Sequence, residues 1–130
     1  AQLDGLTILV IDNDAAILDG MRTLLTGWRC TVLTASGGKE AAAALKARGA
    51  MPDAILADYH LDESNGIDVV VKLRWTFGND IPAVLVTADR SPPVRDRAAE
   101  KGIDVLHKPV KPAALRALLA QVRSRRQAAE

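Results

Sequence analysis

The chain has 130 residues, of which 48% are hydrophobic and 25% charged, and its formal net charge is +1. That length carries one sizeable core, and that balance excludes a disordered chain. Near-neutral charge gives no electrostatic case for direct nucleic-acid or membrane-surface binding, and no apolar run approaches the roughly 20 residues a membrane helix needs.

The elements alternate along the chain. "LTILVI" (6–11) predicts a buried strand, and it runs directly into Asp12, Asn13 and Asp14. Ile17, Leu18, Met21, Leu24, Leu25 and Trp28 then recur as one helix face that ends near Gly27. "CTVLTA" (30–35) is a second strand, followed by an alanine-rich helix over 38–48 that Gly49 closes. Cys30, the lone cysteine, sits in this apolar stretch and predicts a buried, inert thiol in a reducing cytosol. "DAILAD" (53–58) is the third strand, and Ile67, Val70, Val71 and Trp75 form the next helical face. "IPAVLVTA" (81–88) is the fourth, after which Ser91 offers an N-cap and Pro92 a first helical position. That helix is poor in apolar residues, with Val94, Ala98 and Ala99 as its candidates for burial. "IDVLH" (103–107) makes a short fifth strand, and Leu115, Leu118, Leu119 and Val122 line a last helix. Residues 1–5 and 124–130 are expected to be tails of a single domain. The chain opens on Ala1 rather than Met, so it is expected to be processed or cut from something longer.

Five strands alternating with five helices imply right-handed parallel crossovers, with helices on both faces of one sheet. In such sheets ligands bind outside the carboxyl ends of the strands. Those ends carry Asp12-Asn13-Asp14, Asp58, Thr87-Ala88-Asp89 and Lys108-Pro109. Two carboxylates about 4–5 Å apart repel by roughly 3–4 kcal/mol at an effective dielectric near 20. Lys108 offsets part of that, and Mg²⁺, which accepts one or two carboxylates plus waters and a phosphate oxygen, offsets more. With a lysine, a hydroxyl and a cation around it, a carboxylate can attack phosphorus. Taken singly the residues have plainer readings: Asp14 as a helix cap, Thr87 as a β-former, Lys-Pro as an ordinary dipeptide. Their joint placement after strands one, three, four and five is the specific signal.

That pattern resembles the receiver domain of two-component signalling over nearly the whole chain: an acidic pair, an acceptor aspartate, Thr or Ser, then Lys-Pro. The resemblance implies a flavodoxin-like, doubly wound α/β fold, a five-stranded parallel sheet of order 2-1-3-4-5. It implies that Asp58 takes a phosphoryl group from a phosphohistidine on a histidine kinase or histidine phosphotransfer domain. Asp12, Asn13, Asp58 and the backbone carbonyl of His60 would arrange Mg²⁺, while Thr87 and Lys108 would each bond a phosphoryl oxygen. A cis peptide is expected at Lys108–Pro109, and Gly66 falls where the family keeps a glycine. Helix one and its adjoining loops would dock the partner; helix four, strand five and helix five would form the output face, and a weak homodimer is compatible with the resemblance.

Three positions depart from the family. Asn13 replaces an acidic residue, which removes a unit of charge and predicts metal affinity weaker by on the order of tenfold. Val105 stands where a switching aromatic is common, so any switch must use the Thr87 loop and the thinly packed fourth helix. Asp62 stands where a proline is common, and predicts only a change in loop stiffness. His60 and Asp89 are expected to tune phosphate lifetime, and His107 to be an ordinary strand residue. Arg123, Arg125 and Arg126 complement a helix dipole.

Four segments, "IDNDAAILDGMRTLLTGW", "LADYHLD", "LVTADRSP" and "HKPVKPAALRALL", look closest to the C-terminal receiver of a hybrid sensor histidine kinase, a cytoplasmic module. A stand-alone single-domain response regulator is the alternative. "ILVIDND" also resembles the opening of haloacid-dehalogenase-type phosphatases, with Asp12 as nucleophile and Asp14 as acid. That family needs a further acidic motif after its lysine, and only Glu130 follows Lys108. A docking module that is never phosphorylated is a third reading, motivated by Asn13.

Overall fold

The computed structural model describes residues 3–129, with side chains through Arg125. The elements are β1 (Thr7–Ile11), α1 (Ala15–Gly27), β2 (Thr31–Ala35), α2 (Gly38–Arg48), β3 (Ala54–Asp58), α3 (Gly66–Phe77), β4 (Ala83–Thr87), α4 (Pro92–Glu100), β5 (Asp104–His107) and α5 (Pro112–Ala129). All four strand pairings are parallel, in the order β2-β1-β3-β4-β5. This is the predicted five-stranded doubly wound sheet.

The three central strands are buried along their whole length. Alternate residues face opposite layers. Leu9, Ile11, Ile55, Ala57 and Leu85 pack with Ile67, Val70 and Leu73 of α3 and with α2 and α4. Ile8, Val10, Leu56 and Val84 pack on the other face with Leu25 of α1 and Leu115, Leu119 and Val122 of α5. Each fully buried Leu, Ile or Val contributes roughly 1.5–3 kcal/mol. That surplus offsets the cost of burying charge at the carboxyl edge.

Several boundaries follow from local chemistry. Asp14 caps α1, its side chain accepting from the N–H groups of Ala16 and Ile17. Gly49 ends α2 at φ 74°, in the left-handed region that glycine enters without a Cβ penalty. Ser91 sits at the N-cap of α4 with prolines following, but its side chain makes no capping bond. The other end of α4 is held firmly. The Arg74 guanidinium donates to the carbonyls of Ile81, Lys101 and Gly102, and Arg97 pairs with Asp68 of α3.

Three expectations need correction. Trp75 is 81% exposed rather than part of the α3 core face. At 100° per residue it lies about 160° round from Leu73, on the solvent side. Ala99 likewise faces solvent, leaving Val94 and Ala98 as the buried residues of α4. The expected tails are shorter as well. Leu3 is buried, its carbonyl accepts from Leu6 N–H at 3.1 Å and faces Cys30 Sγ at 3.7 Å, and α5 continues to Ala129. Ala1, Gln2 and Glu130 lie outside the described residues. Cys30 is a buried free thiol, as its apolar setting predicted.

Candidate functional site

Strand register brings the chemistry-bearing residues to one edge. Ile11 pairs with Ala57, Asp58 with Val86, and Thr87 with His107. Asp12, Asp58, Thr87 and Lys108 therefore stand within one residue of the same carboxyl end.

Asp12 is 4% exposed. Its N–H donates to the Ala35 carbonyl at 3.1 Å, which continues the strand ladder past β1. Its Oδ1 accepts from Asp14 N–H at 2.9 Å. Burial pushes the Asp12 pKa above the ordinary carboxylate value and the nearby Asp58 adds to that, although the Asp14 N–H and the Lys108 ammonium oppose both. Asn13 and Asp14 are exposed, and the latter is engaged as the α1 cap.

Asp58 closes β3 and is 7% exposed. Its Oδ1 lies 3.1 Å from Lys108 Nζ. The loop that follows folds tightly back: Gly66 N–H donates to the Tyr59 carbonyl at 2.9 Å, and His60 bridges Asn65 in antiparallel fashion. Asn65 caps α3 by accepting from Asp68 N–H. Gly66 is required by packing, because a Cβ there would collide with the Asp58 backbone oxygen and with Leu85 Cδ1. The absent side chain is what lets α3 begin directly beneath the acidic strand end.

Thr87 is fully buried, and its Oγ1 accepts from Asp89 N–H at 2.9 Å. Its own hydroxyl hydrogen is left to donate. Asp89 Oδ1 accepts from Ser91 N–H at 2.8 Å, and bonds from the Ser91 side chain and backbone hold the Asp89 carboxyl below its usual range, with a further contribution from the charge of His60. His60 itself is exposed, its ring edge-on to Tyr59 at 5.0 Å. The Lys108 N–H donates to the Thr87 carbonyl at 3.0 Å, which joins the ends of β4 and β5. The Lys108–Pro109 peptide is cis, as the family resemblance implied.

Asp12 and Asp58, both buried, set against Lys108 leave one unit of negative charge at this edge. That is an environment suited to a cation. Among the described residues no three His, Cys, Asp or Glu side chains are grouped to hold an ion. A fit therefore depends on amide and backbone oxygens beside the two carboxylates. Mg²⁺ accepts such a mixed, hard-oxygen set and retains several waters. The residues present fit it.

One relationship was not legible in the sequence. The Asn13 side-chain nitrogen donates to Asp62 Oδ1 at 2.9 Å, joining the β1–α1 and β3–α3 loops. Asp62, expected to alter only loop stiffness, is thus bonded to the other loop that departs from the family. The two residues are 49 apart in sequence, and no local pattern pairs them. The ties from α3 to α4 through Arg74 and Asp68 were equally invisible for the same reason.

Comparison with known proteins bears on the family and the fold. The family described as "Response regulator receiver domain" matches residues 8–120. The response regulator MprA of Mycolicibacterium vanbaalenii is 34% identical over 117 residues, which cover 90% of this chain and 48% of that protein. The DNA-binding response regulator MtrA of Mycobacterium tuberculosis is 34% identical over 119 residues, covering 91% and 49%. The chain therefore spans about half the length of these curated relatives. Among solved structures, the chemotaxis protein CheY4 of Vibrio cholerae superposes with a TM-score of 0.81 at 27% identity, covering 91% of this chain and 98% of that one. A receiver domain from Clostridium thermocellum gives 0.87 at 22% identity, covering 96% and 99%, which speaks to the fold alone.

Proposed function

The chain belongs to the response regulator receiver domain family of two-component signal transduction, and on that premise we propose that Asp58 is the carboxylate that accepts a phosphoryl group from phosphohistidine. The observation that carries the reading is the Asp58–Lys108 contact of 3.1 Å at a buried strand end. An Asp58 oxygen forms the new O–P bond while the P–N bond to the donor imidazole breaks, and the departing ring nitrogen keeps the electron pair. Lys108 and the free Thr87 hydroxyl hydrogen each meet a phosphoryl oxygen as charge spreads over the group. Asp12, the Asn13 amide oxygen, Asp58 and the His60 backbone carbonyl are the groups that would hold Mg²⁺. When bound, the ion supplies positive charge against the phosphoryl oxygens.

The donor is a histidine kinase or a histidine phosphotransfer domain, docking on the α1 side, and the output leaves through α4, β5 and α5. No helix among the described residues is long and apolar enough to cross a membrane, and we assign the domain to the cytoplasm. The four quoted segments favour a hybrid sensor kinase as the larger protein, whereas the curated relatives, named as response regulators, favour a regulator. An immunoblot of the native protein separates the two. A band of this chain's own size supports a single-domain regulator, one about twice that size a regulator like the curated relatives, and one several times larger the kinase.

Acetyl phosphate with and without Mg²⁺, read by intact mass on wild type and Asp58→Asn, tests the acceptor. A Mg²⁺-dependent adduct that the variant lacks is expected. An adduct that survives Asp58→Asn and disappears with Asp12→Asn would move the nucleophile to Asp12. No adduct under any condition would leave a docking module.

A further inference from the structure

We propose that Asp62 is a positioning residue for the divalent cation, acting through Asn13; this rests on the acceptor reading above. Two positions distinguish the site from the family pattern: an amide replaces an acid at 13, and an acid replaces a proline at 62. The structure shows these two side chains hydrogen-bonded to each other across the acidic edge, Asn13 Nδ2 to Asp62 Oδ1 at 2.9 Å.

The chemistry of the pair fixes its direction. A carboxylate offers only acceptors, so the NH₂ of Asn13 must face Asp62. The amide is planar, and its Oδ1 is thereby turned away from Asp62 and left free for a cation. An asparagine without this partner keeps its side-chain rotamer freedom as well as both amide orientations, and the nitrogen repels a metal. Asp62 removes that ambiguity. It also restores, one bond further out, the negative charge that the acid-to-amide exchange took away. Partners of this kind orient metal ligands, and their loss costs about tenfold or more in affinity.

The arrangement further predicts that the two exchanges depend on each other. With an aspartate at 13 there is no donor for Asp62 and no amide to orient, so the residue at 62 then acts only through its charge.

The test is an NMR titration of the ¹⁵N-labelled chain with Mg²⁺, which reports both the dissociation constant and the Asn13 side-chain amide signals. Asp62→Ala is expected to weaken Mg²⁺ binding by about tenfold and to collapse the distinct Asn13 NH₂ signals toward those of a mobile amide. Asp62→Asn, whose amide oxygen still accepts, loses only exposed charge and weakens binding by roughly threefold. In an Asn13→Asp background, where Asp62 has no donor to accept from, Asp62→Ala should cost only the exposed-charge effect of roughly threefold. Both residues are exposed, so the metal-free melting midpoint should not move, which separates positioning from a structural role.

Asp62→Ala binding Mg²⁺ within twofold of wild type would overturn the proposal and leave the acceptor reading intact. Asp62→Asn as damaging as Asp62→Ala would overturn the orienting role. A wild type that neither binds Mg²⁺ nor forms an adduct with acetyl phosphate would overturn both.

Discussion

Lys108 Nζ lies 3.1 Å from Asp58 Oδ1, in a contact whose acidic partner is nearly buried and whose basic partner is a third exposed. The ammonium lowers the negative potential of the edge, and on the proposed function it would meet the incoming phosphoryl group. Lys108→Met should therefore move two measurements in opposite directions. Mg²⁺ affinity rises by about threefold to tenfold, because a competing positive charge is gone. Adduct formation with acetyl phosphate slows by on the order of tenfold or more, because a donor to the transferring group is lost. If both fall together, the lysine is supporting the fold rather than the transfer.

Gly66→Ala tests how closely α3 must approach the acceptor. The new methyl meets the Asp58 carbonyl and Leu85, and relief requires moving one or the other. Destabilisation of about 1–3 kcal/mol is expected in urea melts. The adduct yield should fall further than stability alone explains, since the displaced backbone carries Asp58.

Asp12 sets a pH dependence whose sign can be worked out. Its folded pKa lies above the ordinary value of 3.8, chiefly through burial. The folded state therefore holds the Asp12 proton more tightly than the unfolded state. That contribution is fully present below the unfolded pKa and is lost as pH rises through the folded one. Wherever Asp12 is ionised in the folded state, its burial costs stability. Asp12→Asn keeps an oxygen for the Asp14 N–H and should raise the melting midpoint by about 3 °C or more at pH 7. The gain should vanish below about pH 3.8. Mg²⁺ should raise the midpoint of wild type by linkage and that of the variant by less at the same concentration.

Trp75 and Leu73 should respond very unequally to substitution despite standing two residues apart. Trp75→Gln removes a side chain that is 81% exposed and should change stability by less than about 0.5 kcal/mol. Leu73→Ala opens a cavity against the sheet and should cost roughly 2–5 kcal/mol. Equal losses would mean that α3 is rotated from the orientation described.

These contrasts also mark where reading the sequence succeeded and failed. The strands were legible because apolar runs such as Ile8–Ile11 and Ile55–Ala57 are broken abruptly by aspartates, and burial on both faces needs no periodicity to detect. The gathering of Asp12, Asp58, Thr87 and Lys108 at one edge was legible because each ends or directly follows a strand. Trp75 was misread because a large apolar side chain at helical spacing looks like core, and only the neighbouring β-strands decide which stripe of α3 is covered. The bond between Asn13 and Asp62 was beyond reach, since it depends on how two loops distant in sequence come together over the sheet edge.

The uneven fastening of α4 has a mechanical consequence. Its C-terminal end is clamped to α3 by Arg74 and by the Arg97–Asp68 pair, while its N-terminal end starts at Ser91 without a side-chain cap, four residues beyond Thr87. A rod fixed at one end answers a push at the other by swinging about the fixed point. The fulcrum here lies far from Thr87, and the other end is tied to the Thr87 loop through Asp89 and Ser91, so a small displacement of that loop has a long arm to work on.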